Sequence, residues 1–273
     1  MRIAPPSTDN AHSPPMYTIH RIKTTAFSVA TLVFVAAQAF AVDDRDTIAR
    51  IKPSIVAVGT FVPMRNPQFE FRGTGFAVAD GSLIATNNHV IPPILNPERN
   101  ESLAVAILDG NRIQVRAATQ AFSEIATDLA VLRMEGARLP ALKLGNADRI
   151  RDGDRVLFTG FPLGGALGLI PTSHRGMISA ITPIAIAALS SQRLDSTVVR
   201  RLSDKPISVF QLDATAYPGN SGSPVYDPDT GEVLGIINMV FVKSSKETAL
   251  SQPSGISYAI PITYLKELLG RSK

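Results

Sequence analysis

The sequence predicts an all-β protein built as two six-stranded antiparallel β-barrels with a C-terminal helix. Beyond residue 42 the chain breaks into about twelve short apolar or alternating runs, each bounded by Gly, Pro, Asn or Asp. Several joints have hairpin chemistry: "ADG" at 79–81, "LDGN" at 108–111 and "DPDTGE" at 227–232. A Gly/Asp-rich stretch, "LGNADRIRDGD" at 144–154, then divides the runs into two sets of about six.

The first set comprises "SIVAVGTFV" (54–62), "GTGFAVA" (73–79), "SLIAT" (82–86), "LAVAIL" (103–108), "RIQVRAA" (112–118) and "LAVLRM" (129–134). The second comprises "RVLFTG" (155–160), "RGMISAI" (175–181), "ISVFQLD" (207–213), "SPVYD" (223–227), "EVLGIINMVF" (232–241) and "GISYAIP" (255–261). These place one barrel at about 50–140 and the other at about 150–262, within one domain spanning 42–273. In the closing "PITYLKELLG", Ile262, Leu265, Leu268 and Leu269 share one face before Gly270, which reads as a helix over 262–269. The stretch 184–204 reads as either a helix or an irregular loop.

Residues 1–41 stand apart. A basic start (Arg21, Lys23), an apolar run from Ala26 to Ala37 and the small-x-small site Ala39-Phe40-Ala41 have the form of a secretory signal peptide, with translation expected to start at Met16. Thr24 to Val42 carries no charge, so the alternative is an uncleaved membrane anchor. Loss of 1–41 removes three of 27 basic residues (Arg2, Arg21, Lys23) and one of 23 acidic residues (Asp9), leaving 24 and 22. That near-neutral balance, with no Lys/Arg stripe interleaved by aromatics, argues against a nucleic-acid partner. With zero cysteines the chain has no disulfide, thiol nucleophile or cysteine-ligated metal. Of four histidines only His89 and His174 lie past residue 41, so neither a metal nor another cofactor is expected.

The stretch "ATAYPGNSGSPVYD" (214–227) crowds turn formers around Ser221, which by itself describes a surface turn. A serine hydroxyl becomes a nucleophile only with a base in hydrogen-bond reach, and the base needs an acceptor that fixes its tautomer. His89 in "LIATNNHV" and Asp128 in "ATDLAVLRM" supply those roles at the ends of strands of the first barrel. Gly219 and Gly222 permit a tight bend that aims the N–H groups of Gly219 and Ser221 at one spot, as an oxyanion hole requires.

The motifs "GTGFAV…LIATNNHV", "TDLAVLRM", "GNSGSPVYD…GEVLGIIN" and "GISYAIPI", in this order over residues 50–269, resemble the chymotrypsin-fold, trypsin-like serine proteases and within them the HtrA/DegP-like group. The resemblance implies a serine endopeptidase acting on protein or peptide segments through an acyl-enzyme. His89 would be the general base, Asp128 its orienter, Ser221 the nucleophile, and Gly219 and Ser221 the oxyanion donors. The signal-like segment implies a periplasmic or secreted location, and the resemblance a possible homo-oligomer, a trimer. Three features depart from the group. Ser223-Pro224 follows Gly222 where a further glycine is usual, as in the "GNSGSP" of glutamyl endopeptidases. The PDZ domain typical of the group is not expected before the end at Lys273. The segment Thr182 to Pro206 is long for its place before the nucleophile and reads as a candidate gating loop.

By the same resemblance Thr215, six residues before Ser221, lies at the base of the primary specificity pocket, walled by Ile237, Asn238 and the "GISYA" strand. No carboxylate stands there to pair a substrate lysine or arginine and no histidine a glutamate, which leaves small and medium aliphatic side chains. An α/β-hydrolase esterase is excluded by the order His, Asp, Ser and by Ser223 in place of the fifth-position glycine. The alternative is a catalytically silent protease fold used for binding or as a scaffold.

Overall fold

The computed structural model describes residues 43–110, 112–164, 168–184, 207–238 and 255–271. The chain divides into two units, Met1–Ala41 and Val42–Lys273, and the description concerns the second. The signal-like segment 1–41 and residues 185–206 of the long segment before the nucleophile lie outside the described residues.

Twelve strands form in chain order. β1 (Ile55–Phe61), β2 (Phe69–Val78), β3 (Leu83–Asn87), β4 (Ser102–Asp109), β5 (Arg112–Glu124) and β6 (Leu129–Met134) close one barrel in the order β1-β2-β3-β6-β5-β4. β7 (Arg155–Gly160), β8 (Thr172–Ile184), β9 (Ile207–Asp213), β10 (Pro224–Tyr226), β11 (Val233–Ile237) and β12 (Ile256–Pro261) close the second as β10-β11-β12-β9-β8-β7. The pairing within both barrels is antiparallel, as the hairpin turns predict.

Three strands run past their apolar stretches. β2 begins at Phe69 because "FEFR" alternates half-buried and exposed positions while pairing with Gly59, Thr60 and Phe61 of β1. β5 continues through the polar 119–124 because Thr119 to Glu124 pair with Leu129 to Arg133 of β6. β8 likewise runs to Ile184, paired with Ile207 of β9. In β5 backbone pairing carries the strand through residues that are exposed or only half-buried.

β1 is buried on both faces, which explains why "SIVAV" reads as a continuous apolar run. Val56, Val58, Ala77, Ile84, Val105, Ala130 and Leu132 form a cluster confined to that barrel. The alternating positions Ile55, Ala57, Phe76, Val78, Leu129 and Val131 join a second cluster that continues into Phe158, Phe210, Leu212, Ile236 and Ile260 of the other barrel. Thr74 shares the second face with Phe76, so it points toward the seam between the barrels.

A helix absent from the sequence reading, α1 (Asp44–Ile51), precedes β1. Its signals were present: Asp43 caps the N-terminus by accepting from Arg45 N–H, Asp44 and Asp46 lie in the first turn and Arg50 in the last. Asp44 pairs with Arg175 of β8, while Ile51 is buried in the shared cluster. The C-terminal helix forms as α2 (Ile262–Gly270), burying Ile262, Leu265 and Leu268.

Leu265 is fully buried on the inner face of α2. Leu265→Ala should therefore cost about 2–5 kcal/mol of unfolding free energy in a urea titration, with an unchanged m-value.

Candidate active site

His89 and Asp128 come together at one end of the first barrel. β3 ends at Asn87 and a 3-10 turn over Asn88–Val90 presents His89, whose side chain is 30% exposed. Asp128 sits where the turn after β5 enters β6, in the left-handed backbone region with φ +52°, a conformation that Asp tolerates better than most residues. Its carbonyl accepts Asn88 N–H at 3.0 Å and Asn87 Nδ2–H at 3.1 Å, which locks the turn against the end of β3.

The Asp128 side chain is 2% exposed and gathers three donors. Oδ1 accepts His89 N–H at 2.9 Å, and Oδ2 lies 2.6 Å from His89 Nδ1 and 2.7 Å from Asn238 Nδ2. A carboxylate can only accept, so Nδ1 carries the proton and the Nε2 lone pair faces away from Asp128.

Ser221 lies on the loop before β10 and is 6% exposed. That loop is bent by two glycines with positive φ, Gly219 at +101° and Gly222 at +89°. A Cβ on Gly222 would stand 2.0 Å from Thr74 O, and one on Gly219 would stand 2.3 Å from Phe161 O, so both positions require the missing side chain. Ser221 and the His89 turn flank the same residue: a Cβ on Gly73 would come within 2.6 Å of Val90 and 3.1 Å of Ser221 O. Among the described residues the Ser221 hydroxyl makes no hydrogen bond to His89 Nε2. The N–H groups of Gly219 and Ser221 donate to no acceptor among the described residues, although the carbonyls around them are anchored.

The specificity-pocket residues sit differently from one another. Thr215 is half-buried between Ala214 and Ala216, and Ser257 Oγ holds that stretch by donating to Ala214 O at 2.7 Å and accepting Ala216 N–H at 2.9 Å. Ile237 is fully buried in the shared core, its N–H donating to Ser223 O at 2.9 Å. Asn238 is also fully buried. The sequence reading placed its side chain in the pocket wall, whereas the structure turns its amide onto Asp128. A lone Asn closing the aliphatic run "VLGII" was the available sign, because a buried amide needs a polar partner.

His174, the other histidine past residue 41, lies on β8 opposite Phe158 with the rings stacked at 4.8 Å. Its Nε2 is buried without a partner among the described residues, and burial holds its pKa below the ordinary 6.5.

A family model described as "Trypsin-like peptidase domain" matches residues 73–236. The chain is 36% identical over 200 residues to a mitochondrial serine protease HTRA2 of Drosophila pseudoobscura pseudoobscura, covering 73% of this chain and 39% of that protein. It is 31% identical over 190 residues to a probable periplasmic serine endoprotease, DegP-like, of Halomonas elongata, covering 70% of this chain and 32% of that protein. The chain thus spans about two fifths or less of the curated relatives it matches. Among solved structures, an HtrA-type protease with a tripeptide superposes with TM-score 0.59 at 28% identity, covering 84% of this chain and 63% of that one.

His174 makes stability fall with acid. Its folded pKa lies below the unfolded value, so the unfolded chain takes up the proton first as pH drops below about 6.5, and stability declines from there down to the folded pKa. Melting temperatures of wild type and His174→Phe, compared between pH 7.5 and 5.5, should converge as the wild type loses the larger share. A pH-independent gap would assign the acid sensitivity to other groups.

Proposed function

The chain belongs to the trypsin-like serine peptidase family and is HtrA-like across its two barrels; from that premise we propose that it is a serine endopeptidase cleaving unfolded or exposed protein segments through an acyl-enzyme. The observation that carries the proposal is the 2.6 Å contact between Asp128 Oδ2 and His89 Nδ1, beside a glycine-bent loop bearing Ser221. Asp128 orients the imidazole and stabilises its protonated form, His89 Nε2 takes the Ser221 proton, and Ser221 Oγ attacks the peptide carbonyl. The Gly219 and Ser221 N–H groups stabilise the oxyanion, each donor being worth about 2.7–4 kcal/mol in such sites. His89 then delivers its proton to the leaving amine, and a water repeats the attack to release the acid.

Asn238 holds the second lone pair of Asp128 Oδ2, so Asp128 is fixed from both barrels. Thr215 forms the base of the primary specificity pocket. Position 215 itself carries no carboxylate, which favours Val, Ala, Ile or Leu before the cleaved bond over Lys or Arg. The basic-apolar segment at 1–41 supports export to the periplasm or beyond.

The missing hydrogen bond between Ser221 and His89 favours a second reading, a silent protease fold that binds without cutting, although such bonds are often long until substrate arrives. Fluorophosphonate labelling of Ser221 separates the two, since only an activated serine reacts. Ser221→Ala and His89→Ala should each lower casein hydrolysis by several orders of magnitude, and the double variant no further, because the residues act as one unit. Asp128→Asn should lower kcat about 10⁴-fold by stabilising the wrong imidazole tautomer. Multiplicative losses, or an active Asp128→Asn enzyme, would assign the chemistry to other residues. Mass-spectrometric mapping of cuts in an unfolded protein should find most of them after small aliphatic residues; a majority after Arg, Lys or Glu would reject the pocket assignment.

A further inference from the structure

Two peptide units of the nucleophile loop carry the proposed oxyanion donors. The unit Pro218–Gly219 carries the Gly219 N–H, and Asn220–Ser221 carries the Ser221 N–H. In a trans peptide the N–H points opposite to the carbonyl of the same unit, so anchoring the carbonyl aims the amide. Pro218 O accepts Leu163 N–H at 2.7 Å, and Asn220 O accepts Ser223 N–H at 2.9 Å.

Between them lies the unit Gly219–Asn220, and its orientation governs both neighbours. Turning this unit over rotates ψ of Gly219 and φ of Asn220, and Gly219, which has no Cβ, restricts that ψ less than any other residue would. Its N–H donates to Tyr217 O at 2.9 Å. Its carbonyl, Gly219 O, accepts the Thr74 hydroxyl from the other barrel at 2.7 Å. The direction of that bond is fixed: Phe161 N–H donates to Thr74 Oγ1 at 3.1 Å, which leaves the hydroxyl proton for Gly219 O.

Thr74 is itself immobilised, with its N–H on Ser221 O at 2.8 Å and its carbonyl accepting Thr86 Oγ1 at 2.7 Å. The loop's other holds are made by its backbone. Among the described residues no other side chain hydrogen-bonds to 217–222, and the fully buried Asn220 amide has no partner.

We infer that Thr74 is a positioning residue whose hydroxyl keeps the Gly219–Asn220 peptide from turning over and so keeps both oxyanion donors aimed at the reacting carbonyl. The inference rests on the serine-peptidase reading above. Thr74→Val keeps the shape and removes the hydroxyl, and Thr74→Ser restores it without the methyl. The hydroxyl acts on transition-state charge rather than on substrate binding, so Thr74→Val should lower kcat on a peptide substrate roughly 10- to 100-fold with KM nearly unchanged. That is less than the 10²–10³ lost when one oxyanion donor is deleted, because the donors remain present though less well aimed. A peptide boronic acid, whose tetrahedral adduct mimics the intermediate, should lose affinity in step with kcat. Thr74→Ser should recover most of both.

Should Thr74→Val not fold, Thr74→Ala, which leaves room for solvent at Gly219 O, is measured in its place with the same expectation. Unchanged kcat in a folded variant, a loss confined to KM, or an equal loss in Thr74→Ser would each overturn the inference. A wild-type enzyme that fluorophosphonate does not label would instead reject the peptidase reading itself.

Discussion

A single carboxylate holds this site together. Asp128 is almost wholly removed from water, and such a group is tolerated only when its lone pairs are met by donors. Its donors come from separate places in the chain: the His89 turn after β3, through a backbone amide and a ring nitrogen, and Asn238 just beyond β11 of the other barrel. Removing any one partner leaves a buried acceptor unpaired, which is more costly than the hydrogen bond is favourable. The geometry of the candidate site and the docking of the barrels are therefore one constraint seen from two sides.

The seam is built in the same manner. Apolar packing brings the barrels together without directing them, through Phe76 and Leu129 on one side and Phe158 and Ile236 on the other. Direction comes from polar bonds that cross, several of them close to Ser221. Thr74 reaches Gly219 and Ser221, and Asn238 reaches Asp128. Steric exclusion adds to this, since the backbone at Gly222 passes so near Thr74 O that no side chain fits. The apolar surface supplies most of the affinity between the barrels, and the polar contacts select one register out of the many that it would allow.

Most of this was legible in the sequence, and the exceptions have physical causes. The β-strands declared themselves through apolar runs between turn formers, and the two closed barrels match that expectation. Strand ends differ at Phe69–Arg72, Thr119–Glu124 and Thr182–Ile184, where backbone pairing continues beyond the apolar run that marks the strand in the sequence. Helix α1 went unread although its capping Asp43 and acidic first turn were visible, because a short helix with a modest apolar face resembles a polar linker. His89, Asp128 and Ser221 could be singled out because usable histidines were so few. That Asn238 needs a polar partner is visible in the sequence, but that the partner is Asp128 is not, because which of two barrels an amide faces is decided by tertiary packing.

Both sheets close on themselves, so within the described strands every edge has a neighbour on each side. A peptidase of the proposed kind would work amid unfolded segments ready to add to any exposed strand, and an open sheet in that setting is a template for aggregation. Closure removes that template, and the most exposed aliphatics, Met64, Ile94 and Ile170, stand on connecting loops, whereas Ile113, Ile181 and Ile256 on the strands are only about half exposed. The fold can therefore meet sticky, extended polypeptide without offering its own backbone as the next rung of a fibril.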